Sequence, residues 1–180
     1  MPDYVEIIKK VCAPGSRVFR VMIEHGRKVS EKALSAADRV SFLNPDRNFI
    51  KEAAMLHDIG MVYTDLPKLG CTGNHPYICH GLLGRVLLEN MGFHRHAMVC
   101  ERHVGTGLTI KDILRQKIPL PLRDMAPTNL EEEIICYADK FYSKSGIEND
   151  EKSVGEILNS LSRYGREKTE KFLSWHDMFG

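Results

Sequence analysis

The stretch Glu52-Ala53-Ala54-Met55-Leu56-His57-Asp58-Ile59-Gly60 sets an imidazole and a carboxylate side by side where burial is expected. Ile50, Ala53, Ala54 and His57 follow the three-and-four spacing of an inward helix face. An ionised carboxylate is costly to bury unless it is paired or binds a metal. Alone, His57-Asp58 reads first as a capping or hydrogen-bonded pair with no chemistry. Further side chains of the same chemical types fall at inward or terminal helical positions elsewhere: His25, His80, His103 and Asp139. Imidazole and carboxylate together suit divalent transition metals such as Fe, Mn, Ni, Co or Zn.

The elements that must carry these residues are helical. A short helix is expected over 2–11, ended by Ala13-Pro14-Gly15. Ser16 can cap a long helix to about Val40, with the inward stripe Val18, Met22, His25, Val29, Ala33, Ala36 and Val40. Asn44 can cap the His57 helix, Pro45 fits its first turn and Gly60 marks its stop. Residues 61–75 read as a loop beside the candidate site, placed to line a substrate mouth. Pro76 opens the helix that bears His80, with Leu83, Leu87 and Met91 on the same side. Gly81 and Gly84 inside it point to close packing. A helix from Phe93 to about Arg102 leads to His103, and Thr109 can cap a short one through Gln116. Residues 117–128, with three prolines, should be extended. Thr128 can cap the helix that holds Ile134, Ala138 and Asp139. A polar turn over 144–150 and two helices, about 151–162 and 165–178, complete the chain. Ile157, Leu158, Leu161, Phe172, Leu173 and Trp175 can cover the core, while Arg163 to Lys171 reads as a solvated charged face. No strand pairing is evident. The expectation is an all-α bundle of about seven to nine helices in one domain over 1–180, its ligand-bearing core at about 16–143 with the helices of 151–179 packed on it.

Composition narrows the function classes. The chain has 180 residues, 25 Lys plus Arg against 24 Asp plus Glu, and a net charge of +1. No field of one sign argues for a nucleic-acid polymer or an acidic membrane. No apolar run approaches the ~18 residues of a membrane span, and MPDYVEIIKK lacks the apolar core of a signal peptide. Five cysteines with no CxxC spacing fit reduced thiols in a cytoplasmic protein rather than a disulfide framework or thiolate zinc site.

The order H…HD…H…H…D, with LHDIG (Leu56 to Gly60), HPYICHGLLG (His75 to Gly84), ERHVGTGLT (Glu101 to Thr109) and YADKF (Tyr137 to Phe141), resembles the HD superfamily of metal-dependent phosphohydrolases. The resemblance is most specific to small HDIG-type proteins. It implies that His25, His57, Asp58 and Asp139 hold one metal and that His80 and His103 complete the site of a second, with Asp58 bridging. Two divalent transition metal ions would then clamp a phosphoryl group, and a metal-bound hydroxide would attack phosphorus. Asp58 is thus the residue at the centre of catalysis, and the substrate a small phosphorylated molecule, a nucleotide first among the options.

Other readings accompany this one. A similar six-ligand pattern occurs in HD-type di-iron oxygenases, and a non-catalytic nucleotide-binding module is a third possibility. Met61 stands where the HD-GYP phosphodiesterases have lysine, and the GYP signature is absent, which disfavours cyclic dinucleotide cleavage. His75, Arg102 and Lys140 are candidates for substrate contact. Cys79 and Cys100 are expected to pack, and His94, His96 and His176 lie in exposed-looking sequence with no assigned role. The sequence leaves metal identity, substrate and oligomeric state open.

Overall fold

Helix α2 (Arg17–Arg39) is the element on which much of the rest is assembled. Ser16 caps it, its hydroxyl accepting from the Phe19 amide at 3.3 Å, and Val18, Met22, His25, Val29, Ala33 and Ala36 are buried along one face. That stripe packs on α3 (Arg47–Leu56) and α7 (Leu130–Asp139). The computed structural model describes residues 4–144 and 151–180; the turn expected over 144–150 therefore lies, beyond Lys144, outside the described residues.

Nine α-helices occur among the described residues. Besides those above they are α1 (Tyr4–Lys9), α4 (His80–Asn90), α5 (His94–Arg102), α6 (Ile110–Gln116), α8 (Val154–Ser162) and α9 (Arg166–Phe179). The all-α class expected from the sequence is the class observed. Two hydrophobic clusters carry the packing. One joins α2, α3 and α7 to α8 and α9 through Ala33, Ile50, Ile134, Phe172 and Trp175. The other joins α1 and the first half of α2 to α4 and α5 through Ile8, Met22, Leu56, Leu88 and Cys100. The candidate ligands come from elements that meet between these two clusters. No helix is long and apolar enough to cross a membrane among the described residues.

Several local expectations are corrected. Asp46, not Asn44, caps α3, its carboxylate accepting from Phe49 N at 3.0 Å. Asn44 instead adopts a left-handed conformation (φ 51) that closes the 3-10 turn Ser41–Leu43. Asn129, not Thr128, caps α7, accepting from Glu132 N at 2.9 Å. Residues 61–75 are built rather than irregular: a 3-10 helix Ile59–Tyr63 leads into β1 (Asp65–Leu66), which pairs antiparallel with β2 (Cys71–Thr72). Two residues a side are too few to show a period-two pattern in sequence. Lys168 is buried rather than part of a solvated face, donating to the Gly107 carbonyl at 2.8 Å and pairing with Asp112. Leu173 is exposed, while Phe172, Trp175 and Phe179 cover the core.

The glycines around the ligands act through close approach. A Cβ on Gly81 would stand 2.5 Å from the Cys100 carbonyl oxygen, so α4 and α5 meet nearly backbone to backbone. Gly60 is not a helix stop. It lies in the 3-10 helix directly after Asp58, and a Cβ there would stand 2.1 Å from the His80 carbonyl oxygen and 2.2 Å from Gly84 N. Two ligand-bearing segments are pressed together at this point. Gly60→Ala should destabilise by about 3 kcal/mol or more, the upper end of overpacking costs, because the obstructing atoms are backbone. Gly155→Ala, where nothing comes nearer than 4.0 Å, should be neutral or mildly stabilising. Urea unfolding of both variants checks this; equal midpoints would contradict the packing argument.

Candidate metal centre

Three histidines reach the centre from chain ends of helices. His57 follows the last turn of α3, His80 opens α4 and His103 follows α5. Each places Nδ1 against the carbonyl three residues earlier: Ala54 at 2.6 Å, Tyr77 at 2.7 Å and Cys100 at 2.8 Å. With Nδ1–H as donor, the neutral form of each ring presents a bare Nε2 inward, the tautomer a metal requires. His25 enters from the middle of α2, and Asp139 is the last residue of α7. All six side chains are buried.

Asp58 lies between two histidine pairs. Its Oδ2 is 3.4 Å from His25 Nε2 and 3.2 Å from His57 Nε2, and its Oδ1 is 3.3 Å from His80 Nε2 and 3.4 Å from His103 Nε2. Asp139 Oδ1 closes the first set, 2.9 Å from His25 Nε2 and 3.3 Å from His57 Nε2. The Nε2 atoms are 3.3 Å apart in the pair His25–His57 and 3.1 Å apart in His80–His103. Ligands at ~2.1 Å from one ion are separated by ~3.0 Å at right angles and ~3.4 Å in a tetrahedron. The observed separations fall in or close to that span. Both Asp58 oxygens are buried; the Lys144 ammonium lies 2.8 Å from Oδ2, while Oδ1 has no hydrogen-bond partner among the described residues. Donor chemistry, spacing and the orphaned Asp58 Oδ1 all fit divalent metal, and the groups His25/His57/Asp58, His57/His103/Asp139 and Asp58/His80/His103 could each hold an ion.

Charge in the protein alone is balanced by cations around the two carboxylates. Burial opposes ionisation of Asp58, but the His57 and Lys144 charges hold its carboxyl well below the usual range. Burial likewise opposes ionisation of Asp139, which Lys140 and Lys144 outweigh. Burial by itself would lower the His57 pKa; Asp58 and the hydrogen bonds to both carboxylates raise it to about 9. Burial dominates at His80, lowered to about 3, and lowers His25 and His103 as well.

A cavity of about 360 Å3 opens beside Asp139, with Lys140, Lys144 and Lys152 among its polar lining and Leu66, Leu69 and Tyr77 on one wall. The first part of the 61–75 segment thus reaches the site. Lys140 lines the cavity with its ammonium 2.8 Å from Asp139 Oδ2 and 3.2 Å from the His103 carbonyl. His75 is exposed and borders a separate groove with Tyr63, Gly73 and Asn74. Arg102 is engaged by Glu132 at 2.9 Å and Thr128 at 2.7 Å. The geometry therefore gives no support to substrate contact by His75 or Arg102: neither faces the cavity. Cys79 and Cys100 pack, as expected. His96 and His176 are less exposed than their sequence suggests; His176 Nδ1 is 2.9 Å from the Tyr137 hydroxyl.

Two residues near the centre carried no role in the sequence reading. Lys144 places its ammonium 2.8 Å from Asp58 Oδ2. It lies beyond the end of α7, where no helical period predicts its direction. Tyr77 stacks on His80 with ring centroids 4.6 Å apart and planes 18° from parallel. Its place three residues before His80, at the start of a helix, was a usable sign that the two share a face.

Fold and site together define an all-α domain built round a buried histidine–aspartate centre suited to divalent metal. The chain belongs to the HD domain family, which it matches over residues 22–143. An uncharacterised protein of Methanocaldococcus jannaschii is 29% identical over 169 residues, covering 88% of this chain and 89% of that protein. A tRNA (cytidine(56)-2'-O)-methyltransferase of Picrophilus torridus is 31% identical over 130 residues, covering 72% of this chain and 33% of the relative, so the chain spans only a third of that protein's length. The HD domain of the L. monocytogenes phosphodiesterase PgpH, in complex with cyclic-di-AMP, shares the fold with a TM-score of 0.55 at 12% identity, over 97% of this chain and 93% of that one.

The raised His57 pKa has two measurable consequences. Protonated His57 stabilises the metal-free protein; that contribution is complete below the unfolded value of 6.5 and lost as pH rises through about 9. Metal needs the neutral ring, so loading must release a proton at neutral pH and strengthen over the same window. Thermal unfolding of chelated protein should show falling stability from about pH 6.5 to 9, with calorimetric metal affinity rising. Affinity independent of pH in that range would contradict the assignment.

Proposed function

We propose that this chain is a metal-dependent phosphohydrolase that acts on a small phosphorylated molecule, a nucleotide in preference to other phosphate esters, through two divalent transition metal ions. The observation that carries the reading is Asp58, whose two oxygens each face a different histidine pair at 3.2–3.4 Å. That arrangement would let His25, His57 and Asp139 hold one ion and His80 and His103 a second, with Asp58 offering an oxygen to each. When bound, such a pair neutralises phosphoryl charge and makes water acidic enough to attack near neutral pH.

The chain's own residues supply the rest. Asp58 sets the position of both ligand groups at once. Lys140 holds Asp139 from the cavity side through its ammonium, 2.8 Å away. Lys144, 2.8 Å from Asp58 Oδ2 and on the cavity wall, is placed to meet a phosphoryl oxygen arriving at the centre. The Tyr77 ring braces His80 and forms part of the apolar wall beside it. A lysine-lined cavity favours an anionic substrate over the neutral polyol of one oxygenase alternative, and the complete ligand set favours catalysis over a silent binding module. The cyclic dinucleotide held by the PgpH domain supports a nucleotide here. The family's ligand chemistry, the free cysteines and the absence of a membrane-spanning helix among the described residues accord with a cytoplasmic setting.

A panel of nucleotides and sugar phosphates, assayed with Mn, Fe, Co, Ni and Mg separately, tests the reading. Asp58→Ala should abolish turnover and lose most bound metal. His80→Ala and His103→Ala should keep about one ion per chain and lose turnover by roughly 100-fold or more. Circular dichroism must accompany each assay because metal contributes to folding. A folded Asp58→Ala protein with normal metal content and turnover would overturn the assignment, and oxygen uptake by the iron form would move it to the oxygenases.

A further inference from the structure

The three lysines of the cavity differ in what already neutralises them. Lys140 pairs with Asp139 and Lys144 with Asp58. Lys152 lines the same cavity, yet its ammonium has no ion-pair partner among the described residues. Among the described residues, the carboxylates nearest to it in sequence bond elsewhere: Glu151 to Lys32 at 2.5 Å and the Tyr142 hydroxyl at 3.1 Å, and Glu156 to Ser153 at 2.7 Å. The backbone there is fixed on both sides. Lys152 N donates to the Phe141 carbonyl at 2.8 Å, and Ser153 begins the capping box of α8. The backbone that carries this side chain is therefore anchored beside the cavity. Burial lowers its pKa from the usual lysine value, the Asp139 and Glu156 charges acting against the shift and those of Lys140 and Lys144 adding to it, so an anion entering the cavity would favour the charged ammonium.

The geometry points to Lys152 as a second anion-binding residue, which holds a phosphate or carboxylate group other than the one presented to the histidine–aspartate centre. It rests on the phosphohydrolase reading for the first anion and specifies its substrate class: molecules with two anionic groups, such as diphosphate-bearing nucleotides, in preference to simple monoesters. A cavity of about 360 Å3 is large enough for such a group with part of a base. Leu66, Leu69, Tyr77 and Leu161 line it as the apolar surface available to that base.

Inorganic pyrophosphate and inorganic phosphate serve as probes, titrated calorimetrically into metal-loaded wild-type, Lys152→Gln and Lys152→Arg proteins of verified metal content. Wild type should bind pyrophosphate more tightly than phosphate. Lys152→Gln should weaken pyrophosphate about ten- to hundred-fold, as loss of a charge-assisted hydrogen bond does, while phosphate changes less than about twofold. Lys152→Arg should restore most of the difference. Pyrophosphate binding unchanged in Lys152→Gln, or both probes weakened equally, would overturn the proposal. The predicted contrast in a protein that turns over no phosphoester with any metal would support the Lys152 assignment and sink the phosphohydrolase reading, so the two failures are separable.

Discussion

Two carboxylates buried together are the constraint on which this structure depends. Asp58 and Asp139 lie in one site, each nearly inaccessible to water, and neither can remain ionised there without compensation. The compensation comes from different parts of the chain: His25 on α2, His57 after α3, His80 on α4, His103 after α5, and Lys140 and Lys144 at and beyond the end of α7. In the protein alone, a protonated His57 and two lysines do the balancing. A divalent metal held by these residues would balance the charge by direct coordination and leave the imidazoles neutral. Folding and ligand binding are therefore coupled at one point: the helices can converge only if charge is matched where they meet.

The surrounding framework is tied by other buried ions, each paired completely. Glu101, two residues before His103, receives Arg85 of α4 and Arg123 of the proline-containing segment. Glu132, in the first turn of α7, receives Arg102 and the Thr128 amide and hydroxyl. Lys168 of α9 joins Asp112 of α6 to the Gly107 carbonyl. Breaking one member of such a buried set leaves an uncompensated charge and costs several times more than a surface pair. Arg102 thus matters to the site indirectly, by fixing the start of the helix that ends in Asp139, while its guanidinium stays out of the cavity.

Function follows from what stands next to this balanced centre. The cavity beside Asp139 is walled by apolar side chains and three lysines. Two of these lysines complete the electrostatics of the ligands, and the third is left for something that enters. Such a site attracts anions through its lining and offers them a charged centre at its floor. The combination would account for the proposed preference for phosphate-bearing molecules without any net basic charge on the protein as a whole, which is only +1.

Much of this was legible in the sequence because helices write their inward faces locally. The stripe from Val18 to Val40 and the face Ile50, Ala53, Ala54 and His57 are set by a period of 3.6 residues, and each is buried as that period requires. The six candidate ligands were nameable because their types and order match a known pattern, and Ser16 and Thr109 cap helices as their side chains dictate. What local chemistry could not decide is how separate segments approach one another. The partnering of Asp58 with Lys144, the stacking of Tyr77 on His80, the burial of Lys168 and the seating of Gly60 against His80 all depend on contacts between residues distant in sequence or past helix ends. Arg102 and Lys152 show the same limit from opposite sides. Both are basic residues near helix ends, and only the tertiary positions of the carboxylates decide that one is neutralised in the framework and the other left facing the cavity.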